Sequence, residues 1–165
     1  LTSRVMVGDQ PFGVILADDL CVEQSEGVMA QMVKLYKQFR CSIVAIEEVP
    51  MSDISRYGVI AGECIKDGLY RVTDMVEKPP ADKAPSNLAI IGRYILTPDI
   101  FEILEKTPPG ANGEIQITDA LLQQAKDGCV MAYKYRGKRF DCGSVDGFVE
   151  ATNFMYNEYY KHGKL

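Results

Sequence analysis

Gly13-Val14-Ile15-Leu16-Ala17 is a continuous apolar run that stops at Asp18-Asp19. That pattern predicts a strand covered on both faces, as in a mostly parallel sheet. From about Glu26 to Phe39, Val28, Met29, Met32, Val33, Tyr36 and Phe39 recur at helical spacing. They predict an amphipathic helix whose methionines fill gaps in the core. Ser42 to Ile46 repeats the buried-strand pattern, so strand, helix and strand make a βαβ unit.

The middle of the chain reads differently. Tyr57 to Ala61, Leu69 to Val76 and Leu88 to Leu96 predict strands separated by Gly/Asp turns and a proline-rich loop from Pro79 to Pro85. Thr97-Pro98-Asp99 opens a short helix, with Thr97 as its cap, and Thr107-Pro108-Pro109-Gly110 ends it. A further helix covers about Thr118 to Lys126 and stops at Asp127-Gly128. Val130 to Tyr135 and Arg139 to Asp141 are expected to form a hairpin turning on Gly137. The last helix runs from about Val145 to Tyr160, with Phe148, Val149, Thr152, Phe154, Met155 and Tyr159 available for packing. The fold class is α/β with a mixed sheet, in one domain over residues 1–165.

Composition narrows the function. The chain has 165 residues, 47% hydrophobic and 25% charged, values ordinary for a globular domain. No apolar run is long enough for a membrane span, so no membrane partner is expected. A net charge of −5, without a basic stretch interleaved with aromatics, argues against nucleic acid. The five cysteines (Cys21, Cys41, Cys64, Cys129 and Cys142) form no C-x-x-C pair. Reduced thiols in a cytoplasmic protein are the simplest reading, and neither a zinc site nor a disulfide framework is expected. His162 is the only histidine and sits in a polar tail, which sets aside a catalytic triad.

Candidate chemistry sits at strand ends, where open α/β sheets collect ligands. A carboxylate at Asp18, held by rigid backbone, suits Mg²⁺ that keeps water and phosphate ligands; its alternative is a turn cap. Alternation sends Asp19 the other way. Asp141, in Arg139-Phe140-Asp141-Cys142-Gly143, ends another strand, and two carboxylates meeting across a sheet could share a divalent ion. Val76-Glu77-Lys78-Pro79 offers an acceptor for sugar hydroxyls and a donor for phosphate, or an edge-strand salt bridge. Gly58, in Tyr57-Gly58-Val59, marks either a close approach to the backbone or a bulge.

Taken in order, these elements resemble a known family. Asp18 after an apolar strand is followed by Tyr57-Gly58-Val59, Glu77-Lys78-Pro79 and the run from Ser86 to Tyr94. Thr107-Pro108-Pro109-Gly110, Gly113-Glu114-Ile115-Gln116-Ile117-Thr118-Asp119-Ala120 and Asp141-Cys142-Gly143 complete the series. The series is similar to the sugar nucleotidyltransferases, and its longer stretches to their bacterial UTP–glucose-1-phosphate uridylyltransferase branch. The resemblance implies a Rossmann-like nucleotidyltransferase fold and transfer of UMP from UTP to glucose 1-phosphate, giving UDP-glucose and pyrophosphate. It implies Asp18 as the magnesium ligand and Asp141 as a second metal position. Gly58, Glu77 and Ile90 correspond to glucose contacts, and Lys78 to the contact with the sugar phosphate. Tyr57 and Asn87 become supporting walls, and Glu114 to Ala120 shapes the far side of the sugar pocket.

The chain departs from the family pattern at its start. The G-x-G-T-R loop and the downstream P-K element that cradle the nucleotide are not in the sequence. The expectation is therefore a C-terminal, sugar-phosphate-binding part of one domain, inactive by itself, homo-oligomeric when full-length. A thymidylyltransferase, or a non-catalytic sugar-nucleotide module, remains the alternative.

Overall fold

The computed structural model describes residues 1–22, 25–110 and 113–163. Its elements are α1 (Arg4–Val7), β1 (Phe12–Ile15), β2 (Asp19–Val22), α2 (Val28–Phe39), β3 (Ser42–Glu48), β4 (Gly58–Lys66), β5 (Leu69–Glu77) and β6 (Leu88–Leu96). α3 (Ile100–Lys106), α4 (Ile117–Asp127), β7 (Val130–Lys134), β8 (Lys138–Asp141) and α5 (Val145–Glu158) complete the order, with short 3-10 turns between some of them. Six strands form one sheet in the order β1-β6-β3-β7-β5-β4, and β2 and β8 form a separate ribbon. β4 also returns to β6, Val59 standing opposite Ala89, so β6, β3, β7, β5 and β4 close a ring of pairings.

The sheet is mixed, but it is not mostly parallel. Only β3 and β7 run parallel; β1–β6, β3–β6, β4–β5, β4–β6 and β5–β7 are antiparallel. The apolar runs misled because they report coverage, not direction. All nine residues of β6 are buried. One core cluster joins the sheet to Ile100, Phe101, Ala120 and Leu121 of α3 and α4. The other joins it to Val28, Met32 and Leu35 of α2. A strand sandwiched between such layers loses its polar alternation whichever way its neighbours run.

Three local expectations also change. β1 is an edge strand with alternating half-buried and exposed residues, Ile15 being 60% exposed, because β6 is its sole partner. The chain does turn at Gly137, but β7 and β8 do not pair. β7 enters the large sheet between β3 and β5, whereas β8 crosses to β2. A side chain at Gly137 would lie 2.9 Å from the carbonyl oxygen of Val22, which explains the glycine at this crossing point. On α5, Phe154 packs against Phe140, while Phe148 and Val149 face outward. No helix among the described residues is long and apolar enough to cross a membrane.

Thr97 does not cap α3 with its side chain. It is tied instead to the start of β3: its backbone N–H donates to Ser42 Oγ at 3.0 Å, and the two hydroxyls lie 3.1 Å apart. Gln124 of α4 donates to Thr97 Oγ1 at 2.8 Å, so one fully buried serine links two strands and two helices. Ser42→Ala should lower unfolding free energy by about 1–3 kcal/mol, because the Thr97 N–H loses its partner in the interior. Urea denaturation checks this, and an unchanged midpoint would show that Thr97 finds another acceptor.

Candidate functional site

The β2–β8 ribbon fixes the acidic end of the site. Its register sets Asp19 opposite Asp141, and the Cys142 N–H donates to the Asp18 carbonyl at 2.7 Å. Asp18 and Asp141 therefore arrive side by side, although 123 positions of sequence numbering would otherwise leave them unrelated. A β-carbon built on Gly143 would sit 3.2 Å from Asp18 Oδ2 and 3.1 Å from Asp141 Oδ1, so the two carboxylates flank that glycine. α5 docks just behind Asp141. Its cap Ser144 accepts from the Gly147 N–H, and at Gly147 a β-carbon would collide with the Asp141 carbonyl.

Below this pair lies a buried ionic network. Asp19 is 8% exposed; its Oδ2 accepts the Gly92 N–H at 2.6 Å and its Oδ1 accepts Arg139 Nε at 2.5 Å. The Asp19 carbonyl accepts Arg93 Nη2, and Arg93 Nη1 reaches the carbonyls of Leu16 and Gly92. Alternation sends Asp19 away from Asp18, but Asp19 lines the same cavity and meets Arg139 there. Arg139 also donates to Glu47 at 3.4 Å and to the Tyr57 hydroxyl at 3.5 Å. Burial opposes its charge, yet the Tyr57 hydrogen bond and Asp19 outweigh that and hold its pKa above the ordinary arginine value. Gly92 is obligatory here, since a β-carbon would lie 2.6 Å from both Asp19 Oδ2 and Leu16 Cβ.

The other end of the site is set by register across β4, β5 and β6. Gly58 pairs with Glu77, and Val59 beside it faces Ala89, which brings Ile90 alongside. A β-carbon on Gly58 would come within 3.0 Å of Glu77 Oε2 and 3.2 Å of both Ile90 Cδ1 and Thr118 Oγ1. The Thr118 hydroxyl donates to Glu77 Oε2, orienting the carboxylate. Lys78 adopts a left-handed backbone with φ of 44°, and its N–H donates to the Tyr57 carbonyl at 3.0 Å. That conformation is uncommon for a residue with a side chain and is found where surrounding structure imposes it. It removes the alternation that would point Glu77 and Lys78 apart.

Asp18, Tyr57, Gly58, Glu77, Lys78, Ile90 and Asp141 line one cavity of about 360 Å³. Gln116, Ile117 and Thr118, from the Glu114 to Ala120 stretch, also line it. Asn87 is the exception: it is exposed, does not line the cavity, and its carbonyl accepts the Val49 N–H at 3.1 Å. The neighbouring Ser86 explains this, since its hydroxyl donates to the Ile60 carbonyl and accepts the Leu88 N–H, holding the entry to β6 against β4.

Asp19, Arg56, Tyr94 and Arg139 also line the cavity and were not singled out from sequence. Arg56 pairs with Asp141 Oδ2 at 2.6 Å, and the Tyr57 hydroxyl lies 3.4 Å from the same oxygen. The guanidiniums of Arg56 and Arg139 lie 5.6 and 5.2 Å from the Tyr57 ring centre. Burial, then the charges of Glu77 and Asp19, push the Tyr94 phenol up to about 12, so it stays protonated at neutral pH. No group of three His, Cys, Asp or Glu residues that could hold a metal occurs among the described residues. The two hard oxygen donors at Asp18 and Asp141 fit a cation that takes its remaining ligands from water and phosphate.

Asp19→Asn should destabilise the fold by about 3 kcal/mol or more, because it leaves the buried Arg139 guanidinium without its counter-charge. Urea denaturation of the variant measures this, and a loss below about 1 kcal/mol would mean that Arg139 is adequately held by Glu47 and Tyr57.

The nucleotidyl transferase family matches residues 1–158. A UTP–glucose-1-phosphate uridylyltransferase of Pseudomonas aeruginosa is 66% identical over 165 residues, 99% of this chain and 59% of that protein. One from Staphylococcus epidermidis is 43% identical over 151 residues, 92% of this chain and 52% of its own length. A UDP-glucose pyrophosphorylase solved in complex with UDP-glucose superposes with a TM-score of 0.93 at 57% identity, over 96% of this chain and 60% of that one. The chain spans about six-tenths of the length of its most similar relatives. Its sequence over nearly all 165 residues, and its fold, place it in the nucleotidyl transferase family.

Proposed function

We propose that this chain is the sugar-phosphate side of a UTP–glucose-1-phosphate uridylyltransferase, one part of a single domain whose other part grips the nucleotide. The observation that carries the reading is the single cavity joining Gly58, Glu77, Lys78 and Ile90 to the paired carboxylates Asp18 and Asp141. Such a cavity has the ends a hexose phosphate needs. Glu77, oriented by Thr118, is an acceptor for sugar hydroxyls, and Gly58 beside it lines the same cavity. Lys78 supplies a compact positive charge for the phosphate.

The reaction is displacement at phosphorus. A phosphate oxygen of glucose 1-phosphate forms a bond to the α-phosphorus of UTP. The bond from that phosphorus to the oxygen bridging to the β-phosphate breaks, and its electron pair leaves with pyrophosphate. Little covalent work falls to the protein, so positioning and charge neutralisation carry the rate. Glu77 and Gly58 orient the sugar, Lys78 draws its phosphate inward, and Arg139 keeps the cavity wall rigid through Asp19 and Tyr57. Magnesium held by Asp18 and Asp141 would supply neutralising charge to the phosphates. Arg56 balances Asp141 in the absence of a cation. A non-catalytic module is disfavoured because it would have no use for two adjacent carboxylates facing the phosphate end.

In the full-length protein, Asp18→Ala should abolish magnesium-dependent formation of UDP-glucose while glucose 1-phosphate still binds. Initial-rate assays beside calorimetry separate the two, and full activity would remove Asp18 from the site. Glu77→Gln should weaken glucose 1-phosphate by roughly 1–3 kcal/mol, the scale of a hydrogen bond to a charged group. Unchanged affinity would reduce Glu77 to a partner of Thr118.

A further inference from the structure

The five cysteines were expected to be inert, and two of them are not placed as inert thiols usually are. Cys41 and Cys129 each stand one residue before the first paired residues of the parallel strands β3 and β7, Ser42 and Val130. Neighbouring strands run about 4.8 Å apart, inside the window of about 4.4–6.8 Å between Cα atoms that a disulfide spans. The Cys41 thiol donates to Cys129 Sγ at 3.1 Å, so the sulfurs already touch.

We propose that Cys41 and Cys129 form a reversible thiol–disulfide site that closes under peroxide and clamps the central sheet. The two sulfurs differ in access and hence in role. Cys41 is 8% exposed and Cys129 is half-buried, so peroxide reaches Cys129 first. Cys41 itself is held protonated until late: burial, then its contacts with Cys129, push its pKa up to about 12. It therefore does not compete with Cys129 for peroxide.

The chemistry needs hydrogen peroxide as oxidant and nothing else. Cys129 Sγ attacks one peroxide oxygen, the O–O bond breaks, and the departing hydroxide takes the thiol proton as water. The Cys129 sulfur is now a sulfenic acid. Cys41 Sγ attacks that sulfur, the S–O bond breaks, and the hydroxide leaves with the Cys41 proton as a second water. Both sulfurs are oxidised, and peroxide is reduced.

The consequence is mechanical. The bond would tie the turn after α2 to the turn after α4 and close a loop across 88 positions of sequence. Neither cysteine lines the substrate cavity, which lies toward the other end of β3, where Glu47 meets Arg139. The clamp therefore acts on stability and leaves the site's own groups untouched. It stands independently of the proposed activity.

The test is mass spectrometry of the full-length protein after hydrogen peroxide, with free thiols alkylated before digestion. The expected product is a joined peptide pair carrying Cys41 and Cys129, lighter by two hydrogens and split by a reducing agent. The melting temperature should rise by roughly 5 °C or more on oxidation and return on reduction. In Cys41→Ser the reaction should stop at a sulfenic acid on Cys129 that a dimedone probe labels. In Cys129→Ser, Cys41 should stay unlabelled. Preferential oxidation of the exposed Cys64, or equal labelling of Cys41 in Cys129→Ser, would overturn the proposal.

Discussion

Asp19 and Arg139 face each other with 8% and 7% of their side chains exposed. A charge taken out of water at this depth costs several kcal/mol unless its partners are well placed, so the pair is tolerated only with its geometry intact. That requirement fixes several other positions. Asp19 must reach the Gly92 N–H, which requires glycine at 92, because a β-carbon there would occupy the carboxylate's space. Arg139 must leave β8 pointing inward, so Asp141 two residues later lies along the same side of the ribbon. The ribbon that carries both is thereby pinned to β6. Asp18 and Asp141, which hold no buried contact as strong, inherit their positions from it.

The same division runs through the rest of the cavity. One end rests on the ribbon, and the other rests on the ladder of β4 and β5, where Gly58 faces Glu77. Tyr57 joins the two, its hydroxyl within reach of Arg139 and Asp141 and its carbonyl accepting the Lys78 N–H. A hexose phosphate seated between them would meet the Glu77 carboxylate with its hydroxyls and Lys78 with its phosphate. Rigid strands support both, which favours the proposed transfer because that chemistry depends on positioning.

The strands and helices were largely legible because hydrophobic periodicity is local. β3, β5 and β6 and the helices α2 and α4 fall close to where the pattern puts them. What periodicity lacks is partner choice. It gave the right turn at Gly137 and the wrong pairing beyond it, since no local signal says that β8 crosses to β2. It also read coverage by helices as parallel pairing. Gly58, Glu77, Lys78, Asp18 and Asp141, singled out by their strand-end positions and motif order, all line the cavity. Asp19, Arg56 and Arg139 were missed because an isolated charge in sequence looks the same whether it ends in solvent or against a counter-charge far along the chain. Asn87 was drawn in by its motif neighbours but lies outside the cavity lining, while Ser86 beside it ties the turn to β4.

The central claim is that this cavity seats the sugar phosphate with its hexose toward Gly58 and Glu77 and its phosphate toward Lys78 and the carboxylate pair. A crystal structure of the full-length protein with UDP-glucose and magnesium tests it most directly. The account predicts hexose hydroxyls within hydrogen-bond distance of the Glu77 carboxylate and the Gly58 backbone, and the sugar-linked phosphate beside Lys78. A hexose bound elsewhere, with Glu77 still engaged only by Thr118, would contradict it.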